Sequence, residues 1–123
     1  MNVLIVEDDE AIRDLIATAL VEAGHTVQEA PEGEAALRLL EVASPEALVI
    51  DINMPGVDGF SFLEAVRANR KYGHLPAMML TAQSAPEDIR RCLQLGASDF
   101  IGKPFDVRLF LRRFDRMVRA AAA

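Results

Sequence analysis

Four sites along this 123-residue chain carry side chains with reactive chemistry, and each directly follows an apolar run. Glu7-Asp8-Asp9 follows Val3-Leu4-Ile5-Val6, Asp51 follows Leu48-Val49-Ile50, Thr81 follows Met78-Met79-Leu80, and Lys103-Pro104 follows Phe100-Ile101-Gly102. Glu7, Asp8 and Asp51 brought together would repel and raise one another's pKa. An oxygen-binding divalent cation relieves that conflict. Mg²⁺ suits it, with Mn²⁺ as a substitute, because it takes few carboxylates, keeps several waters and accepts a phosphoryl oxygen. Asp51 is then placed as a nucleophile, since a carboxylate can attack phosphorus and form an aspartyl phosphate. Lys103 offers a compact positive charge to the transferring group and Thr81 a hydroxyl donor. Singly, a strand-end acid is commonly a helix cap, and Asp9 before Glu10 reads as one. Four such ends together point to phosphoryl chemistry.

The elements that must position these residues alternate along the chain. Asn2–Val6, Thr26–Ala30, Ala47–Ile50, Ala77–Thr81 and Asp99–Gly102 read as strands. Helical spacing fills the intervals: Ile12, Leu15, Ile16, Ala19 and Leu20 over 10–23, Ala36, Leu37 and Leu40 over 33–42, and Phe62, Leu63 and Val66 in a third helix. A fourth helix opens near Pro86 and ends at Gly96; the last places Val107, Phe110, Leu111, Phe114 and Val118 inward. Asn53-Met54-Pro55-Gly56-Val57-Asp58-Gly59 is a turn-rich segment. The pattern is α/β, (βα)₅, a doubly wound parallel sheet in one domain over residues 1–123, with right-handed crossovers. Such sheets gather functional residues at the carboxyl ends of their strands, so all four reactive sites meet on one rim.

Composition narrows the classes. With 51% hydrophobic and 26% charged residues the chain is neither disordered nor membranous. No apolar run approaches the ~18–20 residues needed to span a bilayer. One cysteine, Cys92, excludes an internal disulfide and suits a reducing cytoplasm, and with only His25 and His74 there is no ordinary zinc site. The formal charge of −6 is unevenly spread: residues 1–66 hold 14 acids and 2 bases, residues 67–123 hold 5 acids and 11 bases. An acidic balance argues against direct nucleic-acid binding, and the basic second half reads as a solvated helix face.

In Val6-Glu7-Asp8, Asp51-Ile52-Asn53-Met54-Pro55-Gly56-Val57-Asp58-Gly59, Thr81-Ala82 and Gly96-Ala97-Ser98-Asp99-Phe100-Ile101-Gly102-Lys103-Pro104-Phe105, the chain resembles the receiver domain of two-component response regulators over residues 2–119. The resemblance implies a flavodoxin-like sheet of order 2-1-3-4-5. It implies that Asp51 is the phosphoacceptor for a histidine kinase or histidine phosphotransfer protein. Asp8 and Asp51 would ligate Mg²⁺ through side chains, Asn53 through its backbone carbonyl and Glu7 through a bound water. Thr81 and Lys103 would hold the phosphoryl oxygens, and the Lys103–Pro104 bond would be cis. Thr81, drawn to the phosphoryl group, would vacate space into which Phe100 turns, reshaping the surface read by a downstream protein target.

Two residues depart from the family's commonest pattern. Glu7 stands where Asp is frequent, and Phe100 where Tyr is frequent, so the switch works by packing without a hydroxyl. Asn53 and Gln83 flank the expected site mouth. An aspartate-nucleophile phosphatase would pair its nucleophile with a second Asp two positions on, where Asn53 stands, and a flavin or dinucleotide carrier would need a Gly-rich loop where Glu7-Asp8-Asp9 stands. The expectation is therefore a cytoplasmic switch and not an enzyme beyond its own Mg²⁺-dependent phosphorylation and dephosphorylation. With 19 residues after Pro104, it reads as a stand-alone receiver; the alternative is an excised part of a longer DNA-binding or enzymatic regulator. It is expected to be a monomer or a weak phosphorylation-dependent homodimer, with Asp99 and Arg113 standing where DNA-binding members place a cross-dimer ion pair.

Overall fold

Three apolar runs form the centre of one sheet, flanked by two edge strands that are more polar, with helices covering both of its faces. The computed structural model describes residues 1–82 and 86–122. Its elements are β1 (Asn2–Val6), α1 (Glu10–Glu22), β2 (Thr26–Ala30), α2 (Gly33–Ala43), β3 (Ala47–Asp51), α3 (Gly59–Ala68), β4 (Ala77–Ala82), α4 (Pro86–Gln94), β5 (Asp99–Lys103) and α5 (Val107–Ala122). The strands are all parallel, in the order β2-β1-β3-β4-β5.

The side-chain period of two sorts each strand between two cores. Leu4, Val6, Leu48, Ile50 and Met79 face α2, α3 and α4, packing with Leu40, Phe62, Leu63, Val66 and Cys92. Val3, Ile5, Val49, Met78, Leu80 and Ile101 face α1 and α5, packing with Ile16, Leu20, Phe110, Phe114 and Met117. Burial on both faces is why β1, β3 and β4 read as continuous apolar runs, while the edge strands β2 and β5 do not.

Three details differ from the sequence expectation. Leu15 is 45% exposed, because α1 turns Ile16, Ala19 and Leu20 to the sheet and leaves Leu15 at the edge of that stripe. On α5 the buried stripe is Phe110, Phe114 and Met117, with Val107, Leu111 and Val118 half-buried beside it. Finally, β3, β4 and β5 each extend one residue further, to Asp51, Ala82 and Lys103. The ladder continues there: Asp51 is in register with Leu80, Thr81 with Gly102 and Ala82 with Lys103. Asp51 and Lys103 are therefore the last residues of strands, held by sheet hydrogen bonds instead of by loops.

Candidate phosphoryl-transfer site

The rim is set by caps and turns before any side chain reacts. Asp9 accepts the Ile12 N–H at 3.0 Å and Asp58 the Ser61 N–H at 2.8 Å, starting α1 and α3 at the carboxyl edge of the sheet. The Ile52 N–H donates to the Leu80 carbonyl, and the Gly59 N–H returns to the Ile52 carbonyl at 2.9 Å. Gly59 has no room for a side chain, since a Cβ there would lie 2.3 Å from the Asp51 carbonyl oxygen. That contact presses the first turn of α3 directly on the Asp51 backbone.

Glu7, Asp8 and Asp51 each offer a carboxylate oxygen, all within 4.8 Å of one another. Glu7 is fully buried and Asp51 2% exposed, while Asp8 is exposed. An octahedral ion with bonds of about 2.1 Å separates its ligand oxygens by about 3 to 4 Å, so small side-chain rotations bring Asp8 and Asp51 into its shell, with Glu7 in reach of a water bound to it. Hard oxygen donors in this number fit Mg²⁺ or Mn²⁺ and not a soft metal.

Lys103 is where the geometry adds to the sequence reading, which assigned it only to the transferring group. Its Nζ lies 2.8 Å from Glu7 Oε1 and 3.0 Å from Asp51 Oδ1. One ammonium thus already offsets part of the carboxylate repulsion without a metal. Burial alone would lower the Lys103 pKa, but its hydrogen bonds to Glu7 and Asp51 outweigh that and raise it. Glu7 is pushed up to about 7, chiefly by burial and next by its hydrogen bond with Asp51, against the lowering effect of Lys103. Its other oxygen accepts the Asp9 N–H at 3.2 Å, and Asp51 Oδ1 accepts the Asn53 N–H at 3.3 Å.

Thr81 is buried at 2% exposure, beside Lys103's strand at the end of β4. The Lys103–Pro104 peptide bond is cis. Phe100 is half-buried on the α2–α4 side of β5. Gln83 lies outside the described residues. Asp99 and Arg113, expected to face a second copy, pair within the chain at 2.9 Å.

The site opens into a cleft of about 490 Å³ whose lining adds Ile12, Leu15, Pro104 and Phe105 to the acids and Lys103. Ile12, which also packs beside the α1–α5 core, and Leu15 form an apolar wall beside the carboxylates. Sequence reasoning missed Arg13, whose Nη1 donates to the Glu7 carbonyl at 3.0 Å and whose Nε lies 3.5 Å from Glu29. The available signal was a cation in the first turn of α1, where the helix dipole disfavours it unless a specific partner holds it. Away from the site, Cys92 is buried, which raises its thiol to about 11. His74 is exposed. His25 packs edge-on against Phe114, its pKa lowered by burial and by the N-terminal ammonium.

A family model described as the response regulator receiver domain matches residues 3–115. The chain is 36% identical to RpaA of Synechocystis sp., a DNA-binding dual master transcriptional regulator, over 98% of the chain and 53% of that protein. It is 35% identical to the chemotaxis protein CheY of Pseudomonas aeruginosa, over 95% of each. The structure of the chemotaxis protein CheY4 of Vibrio cholerae superposes with a TM-score of 0.89 at 34% identity, covering 94% of this chain and 97% of that one. The chain spans about half the length of RpaA and of other curated relatives that it matches.

Proposed function

The chain belongs to the response regulator receiver domain family, and from that premise we propose that it is a phosphorylation-activated switch in two-component signalling, with Asp51 as phosphoacceptor. An Asp51 oxygen attacks the phosphorus of a phosphohistidine on a histidine kinase or histidine phosphotransfer protein. The O–P bond forms as the P–N bond breaks, and the departing imidazole takes up a proton. The observation that carries this reading is the buried Asp51 carboxylate at the floor of a cleft, with Lys103 Nζ at 3.0 Å and the Asn53 N–H at 3.3 Å on the same oxygen. Those two donors orient one lone-pair set and leave Asp51 Oδ2 to attack.

Glu7, Asp8, Asp51 and the Asn53 carbonyl would hold Mg²⁺, or Mn²⁺ in its place, with Glu7 acting through a bound water. When bound, the ion supplies positive charge that screens the carboxylates and neutralises developing phosphoryl charge. Lys103 then turns from the acids to a phosphoryl oxygen, and the Thr81 hydroxyl donates to another. Thr81 moving toward the phosphoryl group opens room for Phe100, which turns inward and changes the surface presented by α4 and β5 to a protein target. The apolar wall of Ile12, Leu15, Pro104 and Phe105 gives the phosphodonor protein a dry surface beside the acids.

In this reading the protein turns over no diffusible substrate; its chemistry is its own modification and the hydrolysis that reverses it. It touches no nucleic acid directly, works in the cytoplasm, and is a monomer or a weak homodimer when phosphorylated. Among the described residues no helix is long and apolar enough to cross a membrane. The half-length match to RpaA supports a second arrangement, in which the same switch drives an output domain on a longer chain. Incubation with acetyl phosphate tests the chemistry: a mass increase of one phosphoryl group should need Mg²⁺, vanish with a chelator and be cleaved by hydroxylamine. Labelling that persists without divalent metal contradicts it.

A further inference from the structure

Phe100 is held from outside the sheet by a residue on another layer. β5 is an edge strand, and the Phe100 ring packs partly against the α2–α4 core. Arg113 comes from α5, which covers the opposite face. Its guanidinium carbon lies 5.6 Å from the Phe100 ring centroid, within cation–π range. The guanidinium is not free to wander. Nη2 donates to Asp99 Oδ1 at 2.9 Å and Nε to Asp99 Oδ2 at 3.3 Å, a two-point fork. Asp99 is fixed in turn, since its Oδ1 accepts the Phe100 N–H at 2.8 Å. Arg116 reaches the same carboxylate more loosely, at 3.4 Å, and is largely solvated.

We propose that Arg113, clamped by Asp99, is a latch that holds Phe100 in the half-buried position seen here and so sets the resting level of the switch. The inference rests on the reading of Phe100 as the mobile aromatic. A contact made with only one of two positions shifts their populations, whatever its absolute strength. Arg113 meets the ring in the half-buried position it holds in this structure; in this proposal a ring that turns inward gives that contact up, so Arg113 opposes the inward state. By linkage, whatever opposes the inward state also weakens affinity for the phosphoryl group that favours it, by the same factor. A half-buried cation–π contact of this kind corresponds to a factor of roughly 3 to 10. The latch depends on the planar fork: a lysine would keep the charge and lose the two-point anchor.

The test uses the whole chain with ¹³C-labelled phenylalanine, the Phe100 signal being assigned from a Phe100→Leu spectrum. Beryllium fluoride with Mg²⁺ is the probe of the phosphorylated state. In the wild type the Phe100 signal should move on adding the probe. In Arg113→Met, which keeps most of the stem's apolar packing, the resting signal should already lie part of the way to that position. Beryllium fluoride should bind this variant roughly 3 to 10 times more tightly. Asp99→Asn, which loosens the anchor, should shift both readouts in the same direction, and Arg113→Lys should shift them less than Arg113→Met does. An Arg113→Met protein with a wild-type resting signal and unchanged beryllium fluoride affinity overturns the latch. A wild-type Phe100 signal that ignores beryllium fluoride overturns the switch reading itself, and the latch with it.

Discussion

Glu7 is the residue whose setting departs most from its chemistry in water. Burial and the Asp51 hydrogen bond raise its pKa from 4.5 to about 7, so its proton leaves near neutrality. A carboxyl whose folded pKa lies above its unfolded value favours folding fully below pH ~4.5, and loses that contribution as pH rises through about 7. The metal-free protein should therefore lose stability between about pH 4.5 and 7, by up to ~3 kcal/mol from this group. Denaturant titrations at several pH values measure it, and Glu7→Gln should flatten the profile. Mg²⁺ should erase the loss, because cation binding takes the ionised form, and its affinity should rise over the same pH window. Residue identities at the site were legible in the sequence because each stood at the end of an apolar run. The pairing of Lys103 with Glu7 and Asp51 was not, because it depends on Lys103 reaching from β5 past β4 to the ends of β3 and β1.

At the scale of elements, the site depends on α3 pressing against β3. Gly59→Ala would place a methyl 2.3 Å from the Asp51 carbonyl oxygen and 2.7 Å from the Ile52 Cα, both backbone atoms that cannot swing aside. The first turn of α3 must back away. The expected cost is about 2 to 3 kcal/mol, typical of overpacking against rigid neighbours, together with weaker Mg²⁺ binding as Asp51 shifts. A denaturant melt and a Mn²⁺ titration followed by electron paramagnetic resonance measure the two effects; a variant as stable and as tight-binding as wild type contradicts the geometry. The central strands β1, β3 and β4 were legible because parallel strands buried on both faces appear as unbroken apolar runs between 3.6-residue patterns. Strand ends were less so. Asp51, Ala82 and Lys103 belong to strands because neighbouring strands extend the ladder past the apolar run. Arg13, which braces the Glu7 carbonyl, stood out only as a cation in the first turn of α1, and its partner depends on where β1 ends beside that turn.

For the whole molecule, two cores on either side of one sheet make stability a property of both layers. Phe110 and Phe114 are packed with their ring centroids 6.0 Å apart against α1 and the sheet. Phe110→Ala should cost about 3 to 5 kcal/mol and lower the melting temperature by more than ten degrees in a domain of this size, without removing any group of the reactive rim. Scanning calorimetry, with beryllium fluoride binding below the transition, separates the two properties; loss of binding by a folded Phe110→Ala protein would show that they are not separable. The charge asymmetry noted at the outset also acquires a place. Part of the acidic excess is the cluster at the carboxyl rim, and the basic second half supplies Lys103 to that cluster and Arg113 to Asp99. The sequence pattern showed both charges, but the meeting of β5 with the ends of β1 and β3, and of α5 with β5, is a tertiary fact. The most direct test of the central claim is intact-mass measurement of wild type and Asp51→Asn after acetyl phosphate and Mg²⁺. The wild type should gain one phosphoryl group and a folded Asp51→Asn protein none; equal phosphorylation of the two would rule out Asp51 as the phosphoacceptor.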